Sequence, residues 1–161
     1  MTDNDDWSPT ARTIATATEQ GIRAARAHDL EALAESIDHL ENHTDTAREV
    51  HAHLMRELLE TSYQDGLSGD DVSEVLTRTV TDAASWQAPV TPAAVAVVLT
   101  GALGVGPDSR EESAPTLSEP EIICAALLIA ADLVTSTDLD PKPYVVRAIE
   151  EIRRAQTVEM P

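Results

Sequence analysis

Apolar residues recur along this chain at spacings of three and four, and no stretch alternates with a period of two for long enough to suggest a strand. Ser8-Pro9 sets an N-cap before a first-position proline. Ile14, Ala17, Thr18, Gly21, Ile22 and Ala25 follow as a stripe of mostly small residues. Asp29 caps, or continues into, a segment whose apolar face is Leu30, Leu33, Ala34, Ile37 and Leu40. Asn42 to Asp45 reads as a turn. Thr46, with Glu49 three residues on, has the form of a capping box and opens a helix carrying Ala47, Val50, Leu54 and Leu58 inward. These two segments are expected to pair as an antiparallel αα-hairpin.

The punctuation stays helical to the end. Gln64 to Leu67 is a second turn, and Ser68 with Asp71 caps a stretch bearing Val72, Val75, Leu76, Thr79, Val80 and Ala83 at helical spacing. Trp86 ends it and Gln87-Ala88-Pro89 breaks the chain. Thr91-Pro92 opens a helix that is apolar nearly all round, Ala93 to Val105, and Ser118 with Glu121 opens another, Ile122 to Val134. A last helix begins at Asp140-Pro141 with Val145, Ala148, Ile149, Ile152 and Ala155 inward. Outside it, Arg147/Glu151 and Glu150/Arg154 sit at i,i+4. The pattern predicts an all-α protein: a bundle of six to seven helices with the two apolar helices at its centre.

Length fits one domain spanning 1–161, with residues 1–7 expected to be disordered and 107–117 a flexible acidic loop. Composition makes the core unusual. There is no Phe, and the aromatics are Trp7, Tyr63, Trp86 and Tyr144, so burial must come from Ala, Val, Leu and Ile packed closely. Cys124 lies in an apolar run, which reads as an inert thiol and leaves no disulfide. Each apolar helix covers about 13 residues, short of the ~18–20 that cross a bilayer, and the acidic start lacks the order of a signal peptide. No membrane association and a cytoplasmic location are the expectations.

Charge then narrows the partners. Eleven basic residues against 29 acidic ones leave a net charge of −18, and Lys142 is the single lysine. Such a surface repels phosphates, so direct nucleic-acid binding is not expected. Scarce lysine beside abundant Asp, Glu, Thr and Ala also suits a halophile, whose molar salt would screen the repulsion within a few Å.

Candidate chemistry is sparse. His39, His43, His51 and His53 cluster in sequence with Glu35, Glu49 and Glu57, the residue types that build metal sites in helical bundles. The Glu-x-x-His pattern of such sites is missing. Helical wheels turn His39, Glu35 and His53 away from the apolar stripes and leave only His51 facing inward. His39, His43, Glu49 and His53 stand as the candidate metal ligands on this reading. Gly101 to Gly106 ends a helix and has no following Lys-Ser/Thr, so it lacks the makings of a phosphate loop. Asp65 to Asp71 has calcium-loop ingredients, but Leu76 occupies the twelfth position. No nucleophile elbow occurs.

Three readings stand. The first is a non-enzymatic interaction, accessory or regulatory subunit with no cofactor and a protein partner. The second is an acidic inhibitor or decoy for a basic, nucleic-acid-binding protein. The third is a histidine/carboxylate metal-binding bundle.

Overall fold

A computed structural model of the chain describes residues 7–104 and 117–159, with side chains described as far as 156. The described residues form seven helices and no strand, the all-α bundle that the periodicity predicts. They are α1 (Pro9–Arg26), α2 (Leu30–Glu41), α3 (Thr44–Ser62), α4 (Gly69–Ser85), α5 (Pro92–Ala102), α6 (Glu119–Ser136) and α7 (Pro141–Glu159).

Side-chain caps set most of the starts. Ser8, Asp29, Thr91 and Ser118 each accept a backbone N–H from the first turn, and Ser68 with Asp71 makes a reciprocal capping box. α3 departs from the expected start. Thr46 and Glu49 do not open it; the helix begins two residues earlier behind His43, with no side-chain cap. The early start places Thr44 at the edge of a cleft described below.

Three helices close through a left-handed residue that is not glycine. His28, Gln87 and Asp138 adopt φ of 57°, 61° and 54°. In each case the next residue's N–H reaches back to the helix: Asp29 to Ala24, Ala88 to Ala83, Leu139 to Val134. These are Schellman closures, which satisfy carbonyls left over at a helix end. The first of them folds α2 back along α1. The αα-hairpin is therefore α1–α2, while α2 and α3 barely touch, contrary to the pairing expected from sequence. α3 instead packs along α7 and α6. Leu30 and Ala34, expected on the inner face of α2, are exposed, whereas Leu33, Ile37 and Leu40 are buried.

α6 is the hub. Eleven of its residues, from Ile123 to Val134, are buried, and it packs on α1, α2, α3, α4 and α5. The small-residue stripe of α1 is used against it. A Cβ on Gly21 would stand 2.7 Å from Leu127 Cδ1, so any larger residue here would have to displace the Leu127 side chain. Asp132, the one charged residue in the middle of α6, is tolerated because Arg78 of α4 donates to both its oxygens, Nε at 3.2 Å to Oδ1 and Nη2 at 2.8 Å to Oδ2. Hydrogen bonding to Asp132 in turn raises the Arg78 pKa above its already high ordinary value.

α5 departs from the expectation of two central helices. Among the described residues it packs chiefly on α6, α4 and α3, and Val97 remains 48% exposed, with Leu103 just beyond its end at 39%. Trp7 is buried and its Nε1–H donates to Glu150 Oε1 at 2.9 Å, and Leu117 packs against the core. The remaining residues of the two segments expected to be disordered or flexible, 1–6 and 107–116, lie outside the described residues. The outer pairs of α7 are also rearranged. Arg147 reaches across to Glu57 of α3, while Arg153 and Arg154 pair at i,i+3 with Glu150 and Glu151. Ala155, expected inside, is exposed.

Candidate functional site

A cleft of about 310 Å³ opens between α3, α5 and α6. Its walls are apolar: Val97 and Val98 from α5, Ile122, Ile123 and Ala126 from α6, and Ala52 from α3. Space exists because several of the facing positions are Ala or Gly. Gly101 has nothing within 4 Å of where a Cβ would sit. Arg48 of α3 and Glu119 at the start of α6 form an ion pair among the lining residues.

His51 lines the same cleft and is only 5% exposed. Its Nε2 lies 3.0 Å from Thr18 Oγ1 of α1, and Thr18 is fully buried. Burial alone drives the His51 pKa down to about 4, so the ring is neutral at physiological pH. Tautomer then follows from hydrogen-bond satisfaction. Among the described residues the Thr18 hydroxyl has no partner other than His51, so it donates to Nε2, which leaves the ring proton on Nδ1. That N–H has no partner of its own among the described residues.

The four candidate metal ligands do not converge. His39 is exposed on α2, Glu49 is exposed on α3, His43 sits half-buried at the α3 cap, and His53 is half-buried on α3. Among the described residues, no three His, Cys, Asp or Glu side chains stand close enough to share a metal ion. His51 alone of this histidine cluster is buried, on the inward face that its helical wheel predicts. Its partner Thr18 lies 33 residues away on α1, a distance at which periodicity carries no signal. Cys124 is buried, with its thiol pushed up to about 12, first by desolvation and then by Glu121.

A second constellation has no counterpart in the sequence motifs. His28, in the α1–α2 turn, stacks on Trp86 with ring centroids 5.0 Å apart and planes 9° from parallel. Asp82 joins them, 3.0 Å from His28 Nε2 and accepting from Trp86 Nε1–H at 3.3 Å. A cavity of about 510 Å³ lies alongside, between α1, α4 and α6. Thr79 lines it, and its buried hydroxyl has no partner among the described residues. Asp82 in the last turn of α4 and Trp86 at its C-cap are four residues apart, but nothing in the local pattern links them to His28, 54 positions before Asp82.

Fold and site together define an all-α bundle with an open apolar cleft beside one half-covered helix. No family model matches the chain, and neither a curated protein nor a solved structure matches it.

Proposed function

We propose that this protein is a non-enzymatic interaction or accessory subunit, working in the cytoplasm through a protein partner that docks on the outer side of α5. One observation carries the reading. α5 has no charged residue over its length, yet Val97 is about half exposed and Leu103 follows it at the surface. Apolar surface left open on an otherwise charged protein marks a place where something else sits. A net charge of −18 surrounds that patch and disfavours nucleic acid as the partner. Among the described residues no helix is long and apolar enough to cross a membrane.

A second reading, the acidic inhibitor of a basic protein, draws on α2. Glu31, Glu35, Asp38 and Glu41 are exposed, form no ion pair among the described residues, and share their helix with no Lys or Arg. Such a single-sign face suits a basic surface and gives salt-sensitive association. The test for both is native mass spectrometry of the untagged protein isolated from its own host. A stoichiometric partner that is lost on Val97→Asp with Leu103→Asp supports docking on α5. A partner indifferent to that pair, but released by moderate salt and by Glu35→Lys with Asp38→Lys, moves the function to α2. A monomer with no partner rejects both as constitutive complexes.

A further inference from the structure

The cleft behind α5 has the features of a ligand site in its own right. Pockets for small molecules are mostly apolar, carry few convergent polar groups, and begin at roughly 300 Å³; this one measures about 310 Å³. Its one deeply buried polar group is His51, neutral through burial and held by Thr18 at Nε2. The Nδ1–H on the other side of the ring lacks a protein acceptor among the described residues. Among the described residues the buried side-chain atoms left without a partner are the Ser62 and Thr79 hydroxyls and not Nδ1, so this N–H can be reached from the cleft, by water or by the oxygen of a ligand.

The chemistry of that partner follows from its surroundings. It needs an acceptor oxygen for Nδ1–H and an apolar body for the walls of Val97, Ile122 and Ala126. A carboxylate is disfavoured, because a neutral imidazole supplies no countercharge, Arg48 is already engaged by Glu119, and the protein's overall field repels anions. An ammonium is disfavoured too, since the one acidic lining residue, Glu119, is paired with Arg48. We propose that the α3–α5–α6 cleft binds a small, neutral, largely apolar molecule carrying one hydroxyl or carbonyl oxygen, and that His51 Nδ1–H donates to that oxygen. The site goes beyond the interaction reading and needs no protein partner.

Benzyl alcohol and ethylbenzene are suitable probes, alike in shape and differing in the oxygen. Methyl and imidazole resonances of the full chain are followed during titration with each. Saturable shifts at Val97, Val98 and Ile122 are expected with both probes, and at the His51 ring with the alcohol. Gly101→Leu should abolish them, because Gly101 lines the cleft and a Cβ there meets nothing within 4 Å, leaving room for the larger side chain to take up the space. Absolute affinities mix in the different hydration of the two probes, so the decisive quantity is their affinity ratio. In Thr18→Val with His51→Leu, where both hydrogen-bonding partners become apolar and the fold is spared an orphaned group, the ratio should fall about fivefold against the alcohol. An unchanged ratio overturns the role of His51. Shifts that persist in Gly101→Leu, or their absence up to the solubility of the probes, overturn the site. Loss of a protein partner in Leu103→Asp, at a position outside the cleft lining, with benzyl alcohol shifts retained would uphold this site and the α5 docking reading separately.

Discussion

α5 and α6 are alike in sequence and unlike in place. Both open with a hydroxyl cap and an early proline, and both are rich in Ala, Val, Leu or Ile. α6 is enclosed by five neighbours, whereas α5 has three and leaves a flank open. Length contributes to the difference: α6 has 18 residues and α5 has 11, so the longer helix can be covered by several partners along its course. The small stripe of α1 adds to it by letting α6 approach closely at Gly21, a fit that α5 does not have. Apolar composition thus marks a helix as belonging against something, and leaves open whether that something is the same chain.

The comparison is most directly tested by placing a charge in each helix. Ile129→Asp, at a fully buried position of α6, is expected to unfold the protein, since an unpaired buried charge costs several kcal/mol against a total stability of roughly 5–15 kcal/mol. Loss of the far-UV helical signal is the readout. A folded Ile129→Asp protein would mean that α6 is not the hub.

His51, at the seam between the two helices, should impose a pH dependence. Its pKa in the folded protein lies at about 4, below the ordinary value of 6.5, so the unfolded chain binds the extra proton first as pH falls. The contribution is complete above about pH 6.5 and is lost on going down towards pH 4, roughly 3 kcal/mol in all. Denaturant titrations across that window check the slope, which should flatten in Thr18→Val with His51→Leu.

The two helical glycines facing these regions should respond in opposite directions. Gly21→Leu forces a side chain into Leu127 and is expected to destabilise by about 1–3 kcal/mol, partly relieved by Leu127→Ala. Gly101→Leu in α5 meets open space and improves helix propensity near the helix end, for a gain of about 0.5 kcal/mol. Chemical denaturation of both variants reads the sign. The smallest effect belongs to Val97→Asp, which at a half-exposed position should change stability by less than about 0.5 kcal/mol. A large loss there would mean that α5 is a core helix after all.

Local chemistry is legible wherever it acts within a few residues. The caps at Ser8, Asp29, Ser68, Thr91 and Ser118 all form as their sequence pattern implies, because each needs only a hydroxyl or carboxylate and an N–H three residues on. Thr46-x-x-Glu49 shows the limit of that logic. A capping box contributes on the order of 1 kcal/mol, and the packing of α3 overrides it. Inward residues such as Leu33, Val50, Leu54 and Val145 are likewise readable from period alone. His28 is not, because its value lies in Trp86 and Asp82 on another helix.

By itself the sequence determined that the chain is helical, roughly where each helix starts, which stripe of most helices turns inward, and that the chain is strongly acidic. Those properties depend on neighbours within a turn or two and on composition. Tertiary structure alone decided which apolar helix is enclosed, that α1 and not α3 pairs with α2, that Thr18 occupies one nitrogen of His51, and that a cleft remains beside the other. Each of these depends on how closely two helix surfaces approach, and that distance is set by side chains far apart in the chain, such as Gly21 and Leu127.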